Sequence, residues 1–208
     1  SYHRHIVEAA ARSRQKSNAL CRLMPNLGGA RSSRRRVFGA VVSSISLYGA
    51  QIWADKLTED MKIILERPQR LIALRVVAAY RTVGKDAALL LAQMAPLSIT
   101  AVQRRRAYQK APMAKGEVLS LWQDRWDDCT TGRWTHLLIP DIDRWLNRPH
   151  GETDFWLTQF LTGIGAFDHY LQKIGAAPSG LCGACGVPDT AEHCILRCPE
   201  YASERVTA

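Results

Sequence analysis

A chain of 208 residues, 47% hydrophobic and 23% charged, has enough apolar material to bury a core, and this composition excludes wholesale disorder. Four of its six cysteines crowd near the end and the other two, Cys21 and Cys129, are isolated, which argues against a disulfide framework and for a reducing compartment. The net charge of +9 is concentrated at the start: residues 1–36 hold nine of the 28 Lys and Arg against one acid, Glu8, so a polyanion is the expected partner of that part.

The sequence opens at Ser1 directly on a basic helical pattern without a targeting segment, and is expected to be a piece of something longer. Residues 3–24 read as a helix with Ile6, Ala10, Leu20 and Leu23 available to pack, ended by Pro25-Asn26-Leu27-Gly28-Gly29. Ser32 or Ser33 caps a second helix, in which Val37, Val41, Ile45, Tyr48 and Ile52 step by three and four and so form one apolar packing face. The uncharged run 37–54 is barely long enough to span a bilayer and contains Ser43, Ser44, Ser46 and Gln51, so a buried helix and no membrane segment are expected. Thr58, with Glu59 and Asp60 behind it, starts another helix, and Pro68 predicts a kink or break between Leu65 and Gln69 before the pattern resumes through Leu71, Leu74, Val77 and Ala78.

A helix over 85–94 ends at Pro96, and Ser98 caps the next, which runs through Val102 to about Lys110. It carries Arg104, Arg105 and Arg106, which cannot share one face because helical neighbours stand about 100° apart. A helix over 117–127 follows Pro112. Residues 132–175 are rich in aromatics (Trp134, Trp145, Phe155, Trp156, Phe160, Phe167, Tyr170), read as core for short helices around 140–147, 153–161 and 166–174 rather than as a base-stacking platform. With no sustained period-two alternation, the fold class is all-α.

Cys182, Cys185, His193 and Cys198 then fall at C-x2-C-x7-H-x4-C. A Cys-x-x-Cys turn, eased by Gly183 and Gly186, aims two thiolates at one tetrahedral ion, and Asp189 and Glu192 have the spacing of a capping box for a short helix that carries His193 inward and delivers Cys198. One structural zinc with no open coordination position is expected, with Cys194 in place of His193 as the alternative fourth ligand. The loop is longer than the C-x2-C-x4-H-x4-C of the retroviral nucleocapsid knuckle.

No catalytic residue is predicted. Asp127-Asp128 lacks hairpin strands and a third acid, Asp141-Ile142-Asp143 lacks a downstream acid-x-Lys element, and His3, His5, His136, His150 and His169 are scattered.

Leu47-Tyr48-Gly49-Ala50-Gln51-Ile52-Trp53-Ala54, Gln69-Arg70-Leu71, Ala73-Leu74-Arg75-Val76, Ala79-Tyr80-Arg81-Thr82-Val83, Gly132-Arg133-Trp134-Thr135, Leu161-Thr162-Gly163 and Asp189-Thr190-Ala191-Glu192-His193 follow in an order that resembles the region downstream of the polymerase palm in reverse transcriptases of non-LTR (LINE-like) retrotransposons, the site-specific arthropod group above all. Gly84-Lys85 and Pro68 depart from the family pattern. The resemblance implies a helical thumb-like domain over 1–112, a helical linker over 113–178 and a CCHC knuckle over 179–208, whose zinc ligands match Cys182, Cys185, His193 and Cys198. It implies a part without a polymerase active site, cut from an RNA-directed DNA polymerase that performs target-primed reverse transcription. The implied partners are RNA and DNA (template–primer, element RNA, target site) and the rest of the polyprotein, with cytoplasmic synthesis and nuclear work. Arg12, Arg14, Lys16, Arg31, Arg34, Arg35 and Arg36, with Arg104, Arg105 and Arg106, are the expected phosphate contacts. The alternative is a zinc-stapled structural or protein–protein docking module.

Overall fold

Small residues, not large ones, hold the first two helices in place. The computed structural model describes residues 2–149 and 152–207; Ser1, His150, Gly151 and Ala208 lie outside them. Helix α1 (Tyr2–Cys21) buries Ile6, Ala9, Ala10, Ser13 and Ser17 against α2 (Ser32–Ser46) and α4 (Glu59–Val76). The inward face of α2 is Ser32, Arg35, Gly39, Val42 and Ser46. A Cβ on Gly39 would lie 2.9 Å from Met94 Sδ, and Ser46 donates a 2.7 Å hydrogen bond to Ser13, so the helices approach too closely for the aliphatic face to sit between them. The expected packing face is therefore turned outward: Val37, Val41, Tyr48 and Ile52 are between 45% and 73% exposed, and Leu23, just beyond α1, is exposed too. Gly49, at φ 70°, separates α2 from α3 (Ala50–Trp53), and the run 37–54 becomes two helices bent by 52°; among the described residues no single helix is long and apolar enough to cross a membrane.

Thr58 caps α4, its hydroxyl accepting from the Met61 amide, but the helix runs unbroken through Pro68. The proline removes the amide donor that would bond the Ile64 carbonyl, and the Ser17 hydroxyl donates to the Pro68 carbonyl; the expected break is absent. Helix α4, α5 (Lys85–Leu91) and α6 (Leu97–Tyr108) end earlier than their apolar patterns, at left-handed Ala78, Gln93 and Lys110. In each case the amide of the next residue reaches back to the carbonyl five positions earlier, at Leu74, Leu89 and Arg106. Ser98 does not cap α6, which begins at Leu97; its hydroxyl donates to Glu66 instead.

The largest core joins α4, α5 and α6 to α7 (Lys115–Asp127) and the short helices behind it: Val77, Leu89 and Leu90 pack with Trp122, Trp126, Ile139, Ile142 and Leu161. It therefore crosses residue 112. So does a buried ion cluster in which Glu66 holds Arg125 by two 2.8 Å bonds and Lys85 by a third, while Asp86 takes the other side of Arg125. Beyond α7 come α8 (Arg133–Leu138), which the sequence reading lacked, α9 (Ile142–Leu146), α10 (Phe155–Thr162) and α11 (Asp168–Lys173). The indoles of Trp126, which is buried, and of the half-buried Trp134 and Trp145 donate to the carbonyls of Ile139, Phe160 and Leu90. Trp156 departs from the expected core set, at 66% exposure. Among the described residues there is no strand, only an isolated antiparallel bridge between Leu181 and Pro188.

Candidate metal centre and basic surface

The bridge at Leu181 and Pro188 closes a small hairpin that presents the first two thiols. The Cys182 amide donates to Val187 (2.7 Å) and the Gly186 amide back to Cys182 (2.9 Å); Gly186 takes a positive φ of 69°, whereas Gly183 does not. The turn that follows is capped by Thr190, whose hydroxyl accepts from the His193 amide at 3.1 Å. Asp189, the expected cap, does something else: its carboxylate accepts from the Asp168 amide (2.8 Å) and its carbonyl from the His169 amide, fastening the hairpin to the start of α11.

His193 and Cys198 are five residues apart, about 140° around an α-helix, and would diverge there. The segment His193–Arg197 is a π turn, and the Cys198 amide bonds the His193 carbonyl at 2.7 Å, which brings residues five apart onto one side. Pro199 then opens a 3-10 turn leading to α12 (Ala202–Thr207).

The result is one group: the donor atoms of Cys182, Cys185, His193 and Cys198 all lie within 4.8 Å of one another. Cys198 Sγ stands 3.8 Å from Cys182 Sγ and 4.0 Å from Cys185 Sγ, and Cys185 Sγ 3.1 Å from His193 Nε2. A tetrahedron with metal–sulfur bonds of ~2.3 Å has sulfur–sulfur edges of about 3.8 Å, so the spacing fits a single ion with soft ligands. Four protein donors complete such a shell, leaving no position for a water. Hydrogen bonding to His193 and to the turn amides brings the Cys182 thiol down to about 7; burial, then the neighbouring thiols, push Cys185 up to about 11. Thiols this close share a proton, and a cation removes the conflict. This Cys3His group could therefore bind a metal ion. Cys194 is not one of the four, and burial pushes its thiol up. Among the described residues no other group of three or more His, Cys, Asp and Glu converges in this way.

Three of the four carboxylates set aside above are occupied locally. Asp127 accepts from His136 and Gln123, Asp141 caps α9 through the Arg144 amide, and Asp143 accepts from Asn147.

The expected phosphate contacts divide. Arg12, Arg14, Lys16, Arg31, Arg34 and Arg104 are exposed and Arg36 partly so. Arg35 is turned inward, with its guanidinium donating to the carbonyls of Ala30, Pro25 and Arg75; it pins the loop 25–30, and its donors are already engaged by the protein. Arg105 ties α6 to α3 through the Gln51 and Ile52 carbonyls and a 3.1 Å ion pair with Asp55, and Arg106 pairs with Glu117. Sequence reading missed these inward roles because the carbonyls lie up to 54 residues away; the one available signal was that neighbouring arginines cannot share a face.

The chain is similar to several proteins of retrotransposable elements. It is 29% identical over 169 residues (68% of this chain, 42% of the relative) to the retrovirus-related Pol polyprotein from type-1 retrotransposable element R1 4 of Nasonia vitripennis. It is 26% identical over 230 aligned residues (97% of this chain, 22% of the relative) to a protein assigned to the type-1 retrotransposable element R1DM of Drosophila melanogaster. With the retrovirus-related Pol polyprotein of the R1 element of Bradysia coprophila it shares 28% over 194 residues, 80% of this chain and 19% of the relative. The chain thus spans between 19% and 42% of the length of these relatives. No protein-family model matches the chain, and no solved structure does.

Proposed function

We infer that this chain, whose homologues are R1 type-1 non-LTR retrotransposon Pol polyproteins of arthropods, is the part of such a polyprotein that grips template RNA and primer DNA during target-primed reverse transcription. The observation that carries this reading is the distribution of charge. Arg12, Arg14, Lys16, Arg31, Arg34 and Arg36 stand outward on α1, on α2 and just before α2, and Glu8, the single acid among residues 1–36, is paired with Arg4. Phosphates met by this set release condensed counterions, which gives affinity without sequence selectivity. In this reading residues 1–112 form a thumb-like unit and 113–178 a linker that shares its core. Residues 179–208 form a knuckle stapled by one zinc at Cys182, Cys185, His193 and Cys198. Polymerase chemistry belongs to a palm elsewhere in the polyprotein, and the site of work is the nucleus, after synthesis in the cytoplasm.

A second reading, docking onto another protein surface such as the rest of the polyprotein, is favoured by one observation: the outward apolar set Val37, Val41, Tyr48 and Ile52.

Binding of a labelled RNA–DNA hybrid by the paired variant Arg34→Ala/Arg36→Ala tests the first reading. The logarithmic salt slope should become shallower by roughly 2, at about 0.9 for each phosphate no longer neutralised, with stability retained. Arg35→Ala is the contrasting control: it leaves three carbonyls without their donor and should cost about 2 kcal/mol of stability. A salt slope that the paired variant leaves untouched removes this face as the contact surface.

A further inference from the structure

The N-terminus of α2 opens onto a cleft of about 420 Å³ whose walls include Gly28, Gly29, Arg31, Ser32, Arg35 and Trp156. No side chain caps this helix of 15 residues: Arg31 occupies the N-cap position and makes no cap bond. The amides of Ser32, Ser33 and Arg34 therefore lack an intrahelical acceptor, and the helix dipole puts partial positive charge at the same point. An uncapped N-terminus alone says little. Here a second feature stands in the same wall: the Ser32 hydroxyl is buried, with the residue 2% exposed, and has no hydrogen-bond partner. A buried hydroxyl is costly unless something bonds it, and Ser32 is one of the residues that line the cleft.

The approach to these groups is held ready. Arg35 fastens the loop 25–30 through the carbonyls of Pro25 and Ala30, and Arg75 holds Asn26 at 2.9 Å. A Cβ at Gly29 would meet Arg35 Nη2 at 2.5 Å and the Pro25 carbonyl at 2.8 Å, so the loop closes this tightly only with glycine there. Arg31 stands exposed at the lip. Across the cleft, Trp156 packs edge-on against Phe155 with ring centres 5.0 Å apart, leaving its other surface in solvent. Glu152 and Asp154 stand on that opposite wall, Asp154 already bonded to the Leu157 amide, so an anion is favoured on the α2 side.

We propose that the N-terminus of α2, with the Ser32 hydroxyl and Arg31, seats one backbone phosphate of a nucleic-acid strand, and that Trp156 stacks on an unpaired base next to it. The proposal rests on the nucleic-acid reading above and gives it a defined subsite. Free amides, a hydroxyl donor and a cation match the oxygens of a phosphate diester, and an exposed indole face accepts any base.

The test uses amide and indole NMR signals of the full chain titrated with inorganic phosphate and, separately, with a short RNA–DNA hybrid that carries a single-stranded overhang. Two variants keep it clear of folding effects. Ser33→Asp places a carboxylate in the first turn of α2, where the dipole favours it, so the helix forms while the amides meet a competing anion. Trp156→Ala alters an exposed side chain. The expected result is that phosphate moves the Ser32, Ser33 and Arg34 amides in the wild type and not in Ser33→Asp. The hybrid should move the same amides together with the Trp156 indole, and Trp156→Ala should weaken hybrid binding about five-fold or more. A hybrid that binds with a steep salt dependence while these amides stay still, and with both variants equal to wild type, overturns the subsite and leaves the grip reading standing. Absence of hybrid binding at low salt overturns the grip reading and this assignment with it, whatever phosphate does.

Discussion

Replacing Arg125 by alanine should destabilise the chain by about 3 kcal/mol, because it leaves a buried carboxylate with only Lys85 and Ser98 as partners. Glu66 is 1% exposed, and Arg125 supplies two of its bonds while also bracing Asp86. Burial alone would push the Glu66 carboxyl up; the Arg125 guanidinium and then the Lys85 ammonium outweigh it and hold it at about 2, below the ordinary 4.5. A carboxylate whose folded pKa is depressed stabilises the fold above its unfolded pKa. That contribution, about 3 kcal/mol at neutral pH, fades as pH falls from 4.5 toward 2. Glu66→Gln should therefore be strongly destabilised at pH 7 and draw level with the wild type in acid. Urea titrations at several pH values measure this, and a difference independent of pH would contradict the account. The cluster links α4, α5 and α6 to α7, so its loss should loosen the segments before and after residue 112 together.

Removing the metal should have an effect at least as large, confined to the C-terminal segment. Between residues 179 and 207 the buried apolar side chains are Ala191 and Cys198, far too few to hold that length of chain. A metal ion held by the four ligands, at about 10 kcal/mol or more, would then be the main source of its order. Chelation, or Cys198→Ala, should abolish hydrogen-exchange protection of the Cys182 and Cys198 amides and leave the α4–α7 core protected, since that core draws no residue from the hairpin. Protection that survives chelation would mean the hairpin stands without its ion.

What the sequence made legible was local. The four ligands sit within seventeen residues, and C-x2-C needs only a tight turn, so their convergence could be anticipated from spacing. The π turn was not legible, because a five-residue step between ligands is compatible with several backbones, and only the Cys198-to-His193 bond selects one. Helix α2 was legible as a helix but not in its orientation. Its aliphatic stripe marks the stronger periodicity, whereas close approach at Gly39 and the Ser13–Ser46 bond decide which face turns in. The ends of α4, α5 and α6 were overrun because Ala78, Gln93 and Lys110 take the left-handed role usually signalled by glycine. Pro68 misled for the opposite reason: a strong local signal was outweighed by tertiary packing around an unbroken helix. Arg35 shows the limit most plainly, since its three carbonyl partners are set by the fold and not by its neighbours in the triplet.

The central claim, that the outward cations of α1 and α2 grip a nucleic-acid duplex, is tested most directly by the affinity of the metal-loaded wild-type chain for an RNA–DNA hybrid between about 50 and 200 mM salt. The account predicts tight binding at low salt and a logarithmic slope of roughly −5, the value for five or six neutralised phosphates. Weak binding with a slope near zero would contradict it, and would leave the outward apolar face of α2 as the surface through which the module works.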